Sequence, residues 1–229
     1  MMTMNEIRLE RKHVQNAFHS FKAHCFRLLD IAYCKVLKNE SVDYSWDENA
    51  ISEAIAKYIE DDEMATQLHI SANLEKRLLA ENSPVPHRVD NLPRIDIIIS
   101  GFEWAHNERR VKYYMEAKNL YCKNFKKPQN TNYTSAKYYV RRYIKTGINN
   151  LLSEHYPKDT LLLGYVLIGT INDAIAKVNQ VLMDNLRKDE NIYLENRVDF
   201  PHLVFGLSHH PKGKIIEHCF LLFSDKSIH

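Results

Sequence analysis

The chain is poor in the residues that interrupt regular structure: 229 residues hold only six glycines and seven prolines, with no internal repeat and no low-complexity stretch. Flexible linkers and repeat arrays are thereby excluded, and a chain compact throughout is expected. Its length suits one large domain, or one domain with a helical extension. No apolar run approaches the roughly 18 residues that a membrane span needs. The opening MMTMNEIRLERKH is charged where a secretory leader is apolar, so a cytoplasmic protein is expected. Cys25, Cys34, Cys122 and Cys219 form no Cys-x-x-Cys pair, which argues against a zinc ribbon and for reduced thiols packed as small hydrophobes. The most informative absence is local. Between Ala117 and Ser153 there is no Asp or Glu, while Lys118, Lys123, Lys126, Lys127, Lys137, Arg141, Arg142 and Lys145 lie there. One strongly basic segment is set in an otherwise net acidic chain.

Hydrophobic spacing supplies the elements. Ile7, Val14, Phe18, Phe21, Cys25, Leu28, Ala32 and Val36 recur at helical steps and predict a long amphipathic helix, or two, over Asn5 to Leu37. WDENAISEAIAKYIEDDE predicts a second helix, with Asp47 as N-cap and Ile51, Ile55 and Ile59 one turn apart, packed on a sheet. Residues Ala65 to Leu79 alternate around TQLHISANL and read as a strand followed by a helical turn. After a proline-punctuated loop come two apolar strands, Ile95 to Ile99 and Val111 to Leu120. A helix over Tyr138 to Leu152 turns a basic face away from its apolar side. TLLLGYVLIG reads as a buried strand, Asp173 to Leu186 as a helix, and HLVFGLSHHPKGKIIEHCFLLF as two closing strands. That order predicts an α/β domain with a mixed sheet.

Charges inside the two apolar strands are the feature to explain. The first begins Arg94-Ile95-Asp96 and the second ends in Glu116-Ala117-Lys118. Side chains two apart on a strand share a face, so Glu116 and Lys118 project together. Antiparallel pairing of the strands brings Asp96 close to Glu116. Two carboxylates so placed resist joint ionisation unless a cation neutralises them, and carboxylate oxygens are the ligands hard cations prefer. A lysine beside such an ion can orient or deprotonate a water and stabilise charge on a phosphate. The bland alternative is a solvated ion pair between Glu116 and Lys118.

The set Asp96 in RID, Glu116 and Lys118 in EAK, the following helix YYVRRYIKTGINNLL and the strand LLLGYVLIG resembles, in order and context, the PD-(D/E)xK nuclease superfamily, also called restriction-endonuclease-like. The resemblance covers roughly residues 47 to 170. It implies a mixed central sheet flanked by helices, with residues 1–46 as a helical N-terminal extension packed on the core and residues 47–229 as the nuclease domain. It further implies Mg2+, with Mn2+ as a substitute, held by Asp96 and Glu116, and Lys118 as the catalytic lysine. Many members carry an acid in the helix before the sheet; Glu48 is the first choice for that metal ligand and catalytic residue, then Glu53, with Glu60 behind. The sequence departs from the pattern in that Pro93 stands three residues before Asp96, and Asp90 competes for the first acidic role.

The acid-free segment adds an argument of its own. Phosphate backbones are bound by Lys and Arg, and aromatic rings stack on bases. Lys123, Lys126, Lys127, Lys137, Tyr138, Arg141, Arg142 and Lys145 are the candidate nucleic-acid contacts, and Tyr121, Phe125, Tyr133, Tyr139 and Tyr143 are interleaved with them. The resulting expectation is a Mg2+-dependent nuclease hydrolysing phosphodiester bonds, in DNA before RNA. The competing expectation is a nuclease-fold binding or assembly module that does not cleave. A homodimer, or a partner protein docked on the N-terminal helix, accompanies either. Ser208-His209-His210 has no metal-ligand spacing, and Gly164 and Gly169 lack the order of a phosphate-binding loop.

Overall fold

The computed structural model describes residues 4–77, 94–102, 110–126 and 133–224. Its first element, α1 (Met4–Asn39), is one continuous helix rather than two. From Cys25 onward its apolar stripe is spent on the sheet: Cys25, Leu28, Leu29, Ala32 and Val36 are all fully buried. The second helix, α2 (Glu48–Glu60), starts where Asp47 accepts a hydrogen bond from the Ala50 amide, as an N-cap does. Ile51, Ile55 and Ile59 lie one turn apart and are fully buried, each contributing about 1.5–3 kcal/mol by leaving water.

A short α3 (Glu63–Gln67) precedes β1 (Ser71–Arg77). The expected order, strand then helical turn, is therefore reversed. Asp62 caps α3 through the Met64 amide, a local side-chain bond that outcompetes the alternation of the following residues. Next come β2 (Arg94–Phe102) and β3 (Arg110–Tyr121), then an antiparallel pair of two-residue strands, β4 (Phe125–Lys126) and β5 (Tyr133–Thr134). The basic helix is α4 (Ala136–Arg142), continued by a π-helical segment over Tyr143–Ile148 and a last turn, α5 (Asn149–Leu151). Then follow β6 (Leu161–Ile168), α6 (Ile171–Asp184), β7 (Ile192–Glu195), β8 (Val204–His210) and β9 (Lys214–Leu222).

Seven strands form one mixed sheet in the order β1-β2-β3-β6-β9-β8-β7. The centre is parallel, with β3 on β6 and β6 on β9, and both flanks are antiparallel. The chain is thus α/β with a mixed central sheet and helices on both faces. On one face α1, α2 and α3 cover Ile97, Ile99, Met115, Leu163 and Tyr165. On the other, α4, the π segment and α6 cover Leu120, Leu162, Val166 and Phe220. The alternation of β6 between the two clusters is the period-two signature of a strand buried on both sides. Gly164 is required there: a Cβ would stand 2.6 Å from Phe220 Cδ1, the ring of its β9 neighbour.

Candidate active site

The site forms where β2 and β3 part. Their ladder runs from Phe102↔Arg110 to Ile97↔Met115, and one residue further on the Asp96 carboxylate, not a backbone carbonyl, accepts the Ala117 amide at 2.6 Å. The aspartate thus terminates the pairing and fixes its own position on β3. β3 continues alone beside β6, and its outer edge is closed by the loop before α2, where Asn119 donates to the Trp46 carbonyl and Tyr121 to that of Tyr44. The same loop delivers Glu48, in the first turn of α2, to the fork.

Three carboxylates converge on one ammonium. Lys118 Nζ lies 2.6 Å from Glu116 Oε1, 3.5 Å from Glu48 Oε2 and 3.9 Å from Asp96 Oδ2, and it also donates to the Ala117 carbonyl at 2.6 Å. Arg142 Nη1 reaches Glu48 Oε1 at 2.7 Å from the surface side. Glu48, Glu116 and Lys118 are buried. Three acids against two cations leave the cluster one positive charge short, and its proton affinities follow. Burial pushes the Glu116 carboxyl up to about 8, with Lys118 pulling down and Asp96 adding to the rise. Glu48 is raised by burial, against the pull of Lys118 and Arg142. Burial alone lowers an ammonium, but Glu116, Asp96 and Glu48 together raise Lys118. All three shifts retain positive charge in the cluster.

Asp96, Glu116, Lys118 and Glu48, picked from sequence, are therefore brought together, and the solvated Glu116–Lys118 pair is not what is found. Glu53 and Glu60 project into solvent. The three- and four-residue spacing of the helix explains the difference: residues 51, 55 and 59 define the buried stripe of α2, position 48 continues it at its N-terminal end, and 53 and 60 fall on the other face. Asp90, Pro93 and Lys127 lie outside the described residues.

Among the described residues no three His, Cys, Asp or Glu side chains stand grouped as a ready metal cage; the acids surround Lys118 instead. Two of them nonetheless suit a small hard cation. Magnesium takes one or two carboxylates and keeps water elsewhere, and Glu116 Oε2 is buried with no hydrogen-bond partner among the described residues, a costly state that a cation relieves.

The basic segment divides in two. Lys137, Tyr138, Arg141, Arg142 and Lys145 line one groove of about 1000 Å3, whose far wall is the end of α6 with Arg187. Lys123 and Lys126 are exposed beside β4, apart from that groove. The aromatic residues divide too: Tyr121 and Phe125 stack at 4.1 Å inside the core, Tyr143 is fully buried, and Tyr139 packs on Tyr121, whereas Tyr133 and Tyr138 are exposed. Base stacking is thus open to fewer rings than the interleaving implies.

Two features had no clear signal in the sequence. The π segment over Tyr143–Ile148 passes over the site, where the Cβ that Gly147 lacks would stand 3.6 Å from Lys118 Cγ; π turns recur at functional sites. Tyr156, raised to about 12 by burial and by Glu116 and Asp96, stands near the acids from the loop before β6. Two histidines, His210 and His218, by contrast lie in the core, while His209, between buried Ser208 and His210, is exposed. Tyr143, His218, Ser208, His210 and Glu190 form one buried hydrogen-bonded chain, with 2.8 Å from Tyr143 to His218 and 2.7 Å from Ser208 to each ring. Both imidazoles are pushed down, His218 to about 3 by burial. With Glu190 accepting from His210 Nδ1, the neutral tautomers run one way: Tyr143 donates to His218, His218 to Ser208 and Ser208 to His210. Ser208-His210-Glu190 has the connectivity of a hydrolytic triad, but Ser208 is fully buried and serves the core.

No helix among the described residues is long and apolar enough to cross a membrane. Compared with family models, curated proteins and solved structures, the chain matches none.

Proposed function

We propose that the protein is a metal-dependent nuclease of the restriction-endonuclease-like kind, hydrolysing phosphodiester bonds in DNA at the fork between β2 and β3. The observation that carries this reading is the convergence of Asp96, Glu116 and Glu48 on Lys118, with a buried Glu116 oxygen that has no partner among the described residues, and with Arg142 linking Glu48 to a groove lined by lysine and arginine.

Asp96 and Glu116 would hold Mg2+ or Mn2+, with Glu48, 3.5 Å from Lys118 Nζ and paired with Arg142, as the further acid beside them. When bound, such an ion supplies Lewis-acid stabilisation of a phosphoryl oxygen and a water of lowered pKa. The rest is the work of the chain. The Ala117 amide fixes the Asp96 carboxylate, so that ligand needs no reorganisation when substrate arrives. Lys118, held as an ammonium by three acids, orients the attacking water and donates to the oxygen on which charge develops. In this charge state it is not the group that removes a proton. Arg142, paired with Glu48 and partly exposed, stands between the cluster and the groove, placed to bind a phosphate on entry.

Purified protein with a nicked or linear DNA substrate tests this. Divalent-dependent cleavage in the wild type, lowered by a factor of about 10²–10³ in Lys118→Met, as for loss of one charge-stabilising donor, and abolished in Asp96→Asn, is the expected result. Equal turnover in all three proteins contradicts it. Salt-sensitive binding without cleavage in any divalent metal selects the non-cleaving module instead.

A further inference from the structure

The groove between α4 and α6 has a chemistry more selective than positive charge. Lys137, Arg141 and Lys145 follow one another at four-residue steps, about 6 Å apart along the helix, and all three are exposed. Among the described residues none of the three pairs with a carboxylate. Arg187, on the opposite wall, is already committed to Glu190 and to Asn149, so it shapes the groove more than it charges it. The floor is apolar, formed by Val181 and the edge of Ile144 over the fully buried Leu182. Tyr138 stands at the rim with 59% of its surface exposed. Among the described residues the one acid in the lining, Asp184, is bonded to Gln180.

A duplex presents phosphates outward and keeps its bases stacked, so it has no use for an apolar floor or an exposed ring. An unpaired strand has both: a backbone for a row of cations and base faces for aromatic and aliphatic side chains. The volume, about 1000 Å3, suits a few nucleotides. Arg142 joins this groove to the acid cluster through Glu48.

We propose that the groove binds a single-stranded segment of nucleic acid flanking the scissile bond, with phosphates on Lys137, Arg141 and Lys145 and a base on Tyr138. This rests on the nuclease reading for the identity of the ligand, but not on turnover.

The test is fluorescence anisotropy with the full chain in EDTA, where nothing is cleaved, using one labelled oligonucleotide as single strand and as blunt duplex. Lys137→Glu/Lys145→Glu should weaken single-strand binding at least tenfold and reduce the slope of log K against log salt by about 1.4, since each phosphate contact on a single strand contributes about 0.7. Tyr138→Ala should weaken single-strand binding roughly tenfold, the effect of losing one stacked base, and leave duplex binding unchanged. The proposal is overturned by single-strand affinity equal in wild type and both variants, or by Tyr138→Ala weakening duplex as much as single strand. It is also overturned if heparin competes equally with wild type and Tyr138→Ala while that variant binds the strand normally, since a general polyanion patch then suffices. Groove variants that lose the strand in a protein that cleaves nothing uphold the groove and remove the nuclease reading. Cleavage that needs Asp96 and Lys118, with strand binding indifferent to the groove, does the reverse.

Discussion

Replacing Lys118 by methionine removes the one ammonium on which Asp96, Glu48 and Glu116 converge, at 3.9, 3.5 and 2.6 Å. The stem packs where it did; only the charge and its hydrogen bonds go. Breaking a buried ion pair by deleting one partner costs about 3–5 kcal/mol, because a charge is left buried and uncompensated. Here the lower end applies, since Glu116, already raised to about 8, takes up a proton and sheds its charge. At about 2–4 °C per kcal/mol for a chain of this size, a loss of about 3 kcal/mol lowers Tm by about 6–12 °C in EDTA. Divalent cation should then stabilise the variant more than the wild type, adding about 2.7 kcal/mol at a hundredfold excess over Kd. Glu116→Gln in the same background should recover at least about 1 kcal/mol, the coupling expected of groups in contact. Urea and thermal unfolding of the wild type, the two single variants and the double variant, with EDTA or Mg2+, read all of this. A Lys118→Met variant within about 0.5 kcal/mol of wild type, the range of an ordinary surface substitution, and insensitive to Mg2+, would refute the convergence of the acids on the ammonium.

Other expectations follow from the same geometry. Glu48→Gln should lower cleavage about 10–100-fold, as loss of an outer-sphere or accessory ligand does, while Glu53→Gln and Glu60→Gln leave kinetics unchanged; initial rates under matched Mg2+ separate the three. His218 is neutral in the fold and pushed to about 3, so the unfolded chain binds the proton more readily. Its contribution to stability is full above the ordinary histidine value of about 6.5 and is lost as pH falls toward 3, which urea midpoints between pH 7 and pH 4 will show as a loss that His218→Phe reduces. Gly164→Ala puts a methyl 2.6 Å from the Phe220 ring and should cost about 1–3 kcal/mol by overpacking, measured by thermal unfolding.

What could be read from the residues follows from how local each determinant is. Asp47 caps α2 through a bond three residues away, and β6 announces itself by a run of apolar residues buried on both faces; both are visible in a short window. The sharing of a face by Glu116 and Lys118 is likewise set by strand period alone. The approach of Asp96 needed the antiparallel register of β2 on β3, which the sequence permits without dictating. The sequence ranks Glu48 before Glu53, but that Glu48 reaches Lys118 while Glu53 is exposed is set by the phase of α2 against β3, a tertiary fact. The π segment is not marked, because Val140, Ile144 and Ile148 stand at four-residue steps that an α-helix and a wider turn accommodate alike. Tyr156 and the wall of the groove at Arg187 come from segments distant in the chain, joined only by the packing of α6 and the loop before β6. β7, four residues with two exposed, is too short for alternation to mark it.

The most direct test of the metal site is anomalous diffraction from crystals soaked in Mn2+, collected on the wild type and on Asp96→Asn. A single strong peak bonded to Asp96 and to Glu116 Oε2, with Lys118 beside it and the peak gone in the variant, is the predicted result. Mn2+ bound elsewhere while DNA is still cleaved, or a peak unchanged by Asp96→Asn, would contradict it.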